Sequence, residues 1–542
     1  MHGLMMRQPL LISSLLQHAD RCHGTTEIVS RLPEGGLYRY DYRTAHRRAR
    51  QLARALAALG VQRTDRVGTL AWNTHRHFEI YYAASGSGAV VHTINPRLST
   101  EQLAYIVGHA DDRVVFFDLA FLKQIEAIAP RCAHVRHWIA LTDRAHLPAS
   151  AVPLLCYEDV VAGESDDFEW PDLDELAAAA LCYTSGTTGH PKGVLYTHRS
   201  TLLHAYAVSL PDSFGLSARD TVLPVVPMFH VNAWGIPYAA PLTGAKLVFP
   251  GAGLDGASLT ELYTQEHVTF SCGVPTVWLG VLQHLEKTGQ RLPRPHRTVI
   301  GGAALPPTLA RALRDDHGIE VRHGWGMTEL SPVGVVNTPT RRAPLDTRGD
   351  EPQRAQGRPL AGIELRVVDD DGRTVPHDGR SRGELLARGH WVCRSYFRGE
   401  GGDPLRDGGW FPTGDVATID ADGFLQIVDR TKDLVKSGGE WISSIELENA
   451  VTTHAAIAQA AVIGVAHEKW GERPLVIAVL KSGQAATAPE IIRHLESRVP
   501  KWWLPEDVVF VSALPVSGTG KVQKTVLRET YRGHCGVASR PG

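Results

Sequence analysis

From Tyr183 the chain reads Tyr183-Thr184-Ser185-Gly186-Thr187-Thr188-Gly189-His190-Pro191-Lys192-Gly193-Val194, directly after an apolar run. Hydroxyls, glycines and a lysine at this density are what phosphate chemistry requires. Glycines let backbone N–H groups close on phosphate oxygens. The hydroxyls donate further hydrogen bonds or hold a metal, and the lysine supplies charge. The spacing excludes a Walker A loop, because Gly189 is followed by His190, Pro191 and Lys192 instead of four residues and a G-K-[ST] ending. Three glycines alone would also suit a flexible turn.

Other residues offer chemistry with a plainer reading beside it. Gly301-Gly302-Ala303-Ala304 follows the apolar pair Val299-Ile300, so small residues fall at a strand end, where backbone meets a flat ligand or simply turns. His230 stands alone in the apolar and aromatic run 225–235, and on residue type it is a core histidine. Asp415 after Gly414 suits a turn. Lys521 ends the flexible run Pro515-Val516-Ser517-Gly518-Thr519-Gly520, and Lys432 and Lys436 read as a solvated helix-edge pair.

The elements that must position these groups belong to a large α/β protein. At 542 residues the chain exceeds one ordinary core, which predicts at least two domains. Its 56 basic and 58 acidic side chains nearly cancel, so neither a nucleic acid nor a membrane surface is expected as partner. The apolar stretch 9–16 soon turns polar and reads as an amphipathic helix, not a signal peptide. No run of 18 apolar residues occurs, and the seven cysteines are scattered without C-x-x-C spacing, so they read as structural residues of a soluble, reduced, cytoplasmic protein. Helical spacing from Asp41 to Leu59 stops at Gly60, and 113–117 reads as a buried strand, which together indicate α/β architecture. The loop 338–357 is rich in Arg, Pro, Asp and Gly and is expected to be mobile. A hinge falls at 429–433, where a charged run precedes a capping-box pattern, Ser443 with Glu446. Helices near 445–453 and 490–498 and a strand near 475–480 then make a small α+β domain. The predicted division is 1–430 and 431–542.

The loop at Tyr183 resembles the YTSGTTGxPKGV signature of the adenylate-forming superfamily of acyl-CoA synthetases, peptide-synthetase adenylation domains and luciferases, and further motifs match in order over nearly the whole chain. The resemblance implies the adenylate-forming fold, a large layered N-terminal α/β domain plus a small mobile C-terminal domain with the site between them. It implies ATP and CoA as co-substrates with Mg2+, and ATP/AMP contacts from Thr184, Ser185, Gly186, Thr187, Thr188, Gly189 and Lys192. Gly302, Ala303 and Ala304 are implied to meet adenine. Gly324-Trp325-Gly326-Met327-Thr328-Glu329 is similar to the family's YGxTE loop, with the aromatic on adenine, Thr328 on phosphate and Glu329, with Thr184, on the metal. Trp325 replaces the commoner tyrosine, which preserves stacking and loses a hydroxyl. Asp415 matches the ribose carboxylate, with Arg430 as a further ribose or phosphate contact, and Lys521 matches the adenylation lysine.

The resemblance further implies that the small domain rotates about Lys432 after adenylation. Lys436 and Glu472 then serve thioester formation, with Gly438, Gly439, Glu440 and Trp441 beside the pantetheine arm of CoA. His230 is implied near the substrate carboxylate, and Trp234 as the gate of an acyl tunnel suited to apolar tails. His92 to Leu98, Met228 to Trp234 and Lys436 to Ser444 are similar to medium- and long-chain fatty acid ligases and to 3-methylmercaptopropionate–CoA ligases. The expected activity is an AMP-forming fatty acid–CoA ligase, with the sulfur or a short-chain acid as the alternative. An adenylate-forming enzyme with another acyl acceptor, and a noncatalytic nucleotide-binding protein on the same fold, are the rivals. Gly438 to Trp441 oppose the first, and the presence of Lys521 and Glu329 opposes the second. A homodimer through the large domain is a further implication.

Overall fold

The computed structural model describes residues 1, 3–184, 190–293, 296–340, 355–438, 440–517 and 521–534. Two mainly parallel sheets dominate it. In the first, seven strands follow the order Leu154–Cys156, His137–Ala140, Asp112–Phe117, Arg66–Leu70, Val90–Thr93, Ala178–Tyr183 and Gly193–Thr197, and only the last pair is antiparallel. The second has nine strands, with the parallel run Glu320–Gly326, Arg297–Gly301, Phe270–Gly273, Thr221–Pro224, Lys246–Phe249 and Glu27–Arg31 at its centre. Continuous apolar strands such as Val114-Val115-Phe116-Phe117 are the mark of strands covered on both faces.

One buried cluster joins the sheets. Val67, Val91 and Val114 of the first and Ile28, Val222 and Leu247 of the second pack on the helices Ile12–His23, His75–Ser87, His198–Ser209 and Ile236–Thr243 between them. Each fully buried aliphatic side chain contributes about 1.5–3 kcal/mol. The outer faces carry further helices, among them Pro275–Thr288 and Thr100–Ala110. A third sheet is antiparallel, in the order Ile363–Val368, Gly383–Gly389, Phe411–Ile419 and Leu425–Arg430.

After Arg430 the chain builds a smaller domain with cores of its own. Glu440–Ile442, Val435–Ser437, Gly471–Leu480 and Ile457–His467 pair antiparallel, Asp507–Phe510 adds a parallel edge, and Ser444–Thr452 and Ala488–Leu495 pack against them. Ser443 caps the first helix by accepting the Glu446 N–H at 3.1 Å. The residues 429–433 are tied to that cap, because Asp429 accepts both the N–H and the hydroxyl of Ser444, at 2.6 and 2.7 Å.

Several expected boundaries shift. The N-terminal helix starts at Ile12 and continues through polar residues to His23, since its apolar side chains at Ile12, Leu15, Leu16 and Ala19 define the stripe. The helix predicted at 490–498 spans Ala488–Leu495, with a capping box from Thr487 to Glu490 that sets its start. Lys432 lies in a turn and Lys436 in a strand, so neither marks a helix edge. Of the loop expected to be mobile, 341–354 lie outside the described residues.

Candidate active site

The phosphate-type loop is the connection of a β-hairpin. Tyr183 pairs with Gly193, the Thr184 N–H donates to the Lys192 carbonyl at 2.9 Å, and the Lys192 N–H donates to Thr184 Oγ1 at 3.1 Å. These bonds close the neck of the loop, and Thr184, His190 and Lys192 at that neck line a cavity of about 360 Å3. Ser185, Gly186, Thr187, Thr188 and Gly189 lie outside the described residues.

Into this cavity converge Thr184, Lys192, His230, Trp234, Gly302, Gly324, Trp325, Gly326, Met327, Thr328, Glu329, Arg430 and Lys521, from both parallel sheets, the third sheet and the small domain. Ala303 and Ala304 are absent from the lining, with Ala303 exposed, whereas Gly302 lines the cavity together with Gly301. Glycine is required at 301, because a Cβ there would stand 2.6 Å from the Gly324 carbonyl oxygen on the neighbouring strand.

Asp415 is 1 % exposed at the edge of the cavity. Its Oδ2 accepts the Trp325 indole N–H at 2.8 Å, and its Oδ1 pairs with Arg430 Nε at 2.6 Å. Burial raises its pKa, and the Arg430 guanidinium and the indole N–H oppose that shift. Glu329 is similarly buried with a raised pKa and accepts the Tyr396 hydroxyl on Oε1 at 2.8 Å.

The small domain's cation in the cavity is Lys521. Burial, reinforced by Arg430, lowers its pKa to about 8, while Asp415 and Glu329 pull upward. His230 is pushed down to about 3 by burial and then by Lys521, so the ring is neutral and can meet a carboxylate only through hydrogen bonding.

The segment that carries Trp234 is unusual. Val231, Asn232, Ala233 and Trp234 have φ of 42°, 52°, 47° and 55°, followed by Gly235 at 82°. A left-handed conformation costs about 1–2 kcal/mol at each non-glycine residue. Buried contacts hold it there. Asn232 Oδ1 accepts from the Tyr81 hydroxyl at 3.2 Å and Cys182 Sγ at 3.4 Å, and the His204 ring backs Gly235 so closely that a Cβ would lie 2.7 Å from Nδ1. The turn lays the indole of Trp234 against Gly301 and Gly302, beside Lys521.

The described residues among those expected to serve CoA are not part of this cavity's lining. Lys436 is exposed on the small domain with its ammonium over the Trp441 ring, 5.4 Å from the centroid, and its backbone N–H donates to Glu472 Oε2 at 3.0 Å. Gly438 has φ of 63° and is covered by Trp470. Gly439 lies outside the described residues, as does the side chain of Glu440. Sequence reasoning missed Tyr396, Val333, Thr413 and Val274, which also line the cavity; each stands in a segment with no local pattern beyond apolar or loop character.

The oxygen set of Glu329 and Thr184 fits a magnesium ion brought in on nucleotide phosphate. Mg2+ prefers one or two such ligands together with phosphate and water. Among the described residues no cluster of three or more His, Cys, Asp or Glu side chains could hold a metal ion.

A cavity lined by the neck of a phosphate-type loop and reached by a lysine from a small second domain points to an adenylate-forming ligase. The chain belongs to the AMP-binding enzyme family, whose model matches residues 15–397, with the C-terminal domain model of the same family matching 446–521. It is an AMP-forming acyl-CoA ligase that works through an acyl-adenylate. It is 51% identical to the 3-methylmercaptopropionyl-CoA ligase of Ruegeria lacuscaerulensis, over 98% of this chain and 99% of that one. It is 50% identical to the medium-chain-fatty-acid–CoA ligase of Ectopseudomonas oleovorans, over 98% of both. The crystal structure of the anthranilate CoA ligase AuaEII in complex with anthranoyl-AMP superposes with a TM-score of 0.86 at 26% identity, over 96% of this chain and 98% of that one. Among the described residues no helix is long and apolar enough to cross a membrane.

Proposed function

We propose that this ligase activates medium- to long-chain fatty acids in two half-reactions at one cavity. The observation that carries the reading is the apolar part of the lining, where Val226, Pro227, Val231, Trp234, Val274, Val299 and Val333 face the same cavity as the neutral His230. Such a wall suits a hydrocarbon tail with its carboxylate turned toward the phosphate loop.

In the first half-reaction a carboxylate oxygen attacks the α-phosphorus of MgATP and pyrophosphate leaves. Lys521 stabilises the charge gathering on the phosphoryl oxygens, Asp415 and Arg430 hold ribose, and Trp325 stacks on adenine. Magnesium, held by Glu329 and Thr184, would supply charge neutralisation at the phosphates. In the second, the CoA thiolate attacks the acyl carbonyl carbon and AMP leaves. For that step we assign a boundary at 430/431 with Lys432 as pivot, and a face of the small domain bearing Lys436, Gly438, Gly439, Glu440, Trp441 and Glu472. The separation of these residues from a cavity that already holds Lys521 supports this division of labour. The six described cysteines are all free, which supports a reducing, cytoplasmic location.

A second reading, 3-methylmercaptopropionate or another short acid, is favoured by one observation. The Trp234 indole already lies across Gly301 and Gly302, and a short tail fits without displacing it. The deciding experiment is AMP release from MgATP and CoA across straight-chain acids from acetate to palmitate, with 3-methylmercaptopropionate alongside. A maximum at medium or long chains supports the fatty acid reading, and a maximum at the sulfur acid or butyrate replaces it.

A further inference from the structure

Tyr396 was assigned no role by motif or by residue type, yet it stands between the two charges of opposite sign that face the phosphate end of the cavity. Its hydroxyl donates to Glu329 Oε1 at 2.8 Å. Its ring face carries the Lys192 ammonium, 4.7 Å from the centroid. Burial, with the Glu329 carboxylate beside it, drives the Tyr396 pKa upward, so the phenol stays a donor at any working pH. Among the described residues no carboxylate lies within ion-pair distance of Lys192.

The neighbouring backbone is shaped for this spacing. Phe397 packs where a Cβ on Gly193 would lie 3.0 Å from its own, and a Cβ on Gly401, at φ of 75°, would lie 2.8 Å from Lys192 Nζ. Glu400 fixes the segment to the helix Thr100–Ala110, accepting the Tyr105 hydroxyl at 2.8 Å and facing His109 Nε2 at 3.5 Å.

We propose that Tyr396 is a positioning residue that keeps Lys192 and Glu329 apart before nucleotide binds, so that the ammonium is free for nucleotide phosphate and the carboxylate for the cation that accompanies it. Without the aromatic ring between them, the two opposite charges would collapse into an ion pair that nucleotide must break. The inference rests on the nucleotide-site reading proposed above.

The test is calorimetric binding of ATP to the full-length protein in EDTA, which reads affinity without metal and without turnover. Tyr396→Phe keeps the ring under Lys192 and should bind metal-free ATP as the parent does. Tyr396→Leu should bind about tenfold more weakly, because nucleotide must first break the partly buried Lys192–Glu329 pair. Adding Glu329→Gln to Tyr396→Leu should restore affinity, because the trap for Lys192 is gone; a packing defect would not be rescued this way. Unchanged affinity in Tyr396→Leu, or no rescue in a double variant whose circular dichroism matches the parent, overturns the proposal. Lys192→Ala separates the two levels of argument: if it binds metal-free ATP as well as the parent, the phosphate-loop reading itself fails, whatever Tyr396 does.

Discussion

The Trp325 indole N–H donates to Asp415 Oδ2 at 2.8 Å across 90 residues of sequence. The tryptophan thus replaces the hydroxyl of the commoner tyrosine with a donor of its own, and it orients the carboxylate proposed to hold ribose. Trp325→Phe keeps the ring and removes the donor. A hydrogen bond to a charged group is worth about 1.5–3 kcal/mol, so the KM for ATP should rise at least about tenfold with the acid KM little changed. An unaltered ATP KM would mean that Arg430 alone orients Asp415.

Lys521 has a pKa near 8, and its ammonium form is the one proposed to stabilise adenylation. For the free enzyme, kcat/KM for ATP in pyrophosphate release should therefore fall as pH rises through about 8. Lys521→Arg should show a lower but flatter profile. The stability sign is opposite. Between about 8 and the ordinary 10.5 the native state binds fewer protons than the unfolded chain, so stability contributed at this position rises with pH across that window. Lys521→Met should accordingly unfold at a higher urea midpoint than the parent at pH 7, with the difference shrinking toward pH 10.5.

Lys436 lies outside the cavity that contains Lys521. Lys436→Ala should leave acyl-AMP formation, followed by pyrophosphate release, within about threefold of the parent, and should slow thioester formation from preformed acyl-AMP by roughly tenfold or more, the usual scale for losing one charged contact. Lys521→Ala should show the reverse pattern. Equal loss in both steps for either variant contradicts the two-face arrangement.

Gly235 closes the left-handed turn that presents Trp234. Gly235→Ala places a methyl against His204 in a strained backbone region, and it should destabilise the fold by roughly 1–3 kcal/mol and raise KM for the acid more than for ATP. Trp234→Ala should leave stability closer to the parent while changing the chain-length profile. A profile unchanged in both variants would remove the turn from acyl selection.

Much of the fold was legible because its signals are local. The helix Tyr42–Ala58 ends before Gly60 with Asp41 as its N-cap, and the strand Asp112–Phe117 is one continuous apolar run. The helix Ser444–Thr452 starts from Ser443. The left-handed turn at 231–235 had no comparable signal. Only Asn232 and Gly235 are residue types that tolerate positive φ, and the turn that also carries Val231, Ala233 and Trp234 is held through Asn232 by Tyr81 and Cys182 and through Gly235 by His204, all from distant segments.

What the sequence by itself determined was the chemistry available and the order in which it arrives. The hydroxyl and glycine loop at Tyr183, the Gly324 to Glu329 segment, Asp415 and Lys521 are short motifs whose backbone demands are met by adjacent residues. The tertiary structure decided which of them meet. It set Lys521 in the cavity and Lys436 outside it, drew Trp325 to Asp415, put Gly301 beside Gly302 in the cavity wall while leaving Ala303 and Ala304 out of it, and slid Tyr396 between Lys192 and Glu329. These are contacts between residues from 67 to more than 200 positions apart, made when separate sheets and a second domain pack to bury apolar surface. No local spacing encodes them, because burial rewards total apolar contact and leaves the pairing of individual polar groups to the geometry of the packed elements.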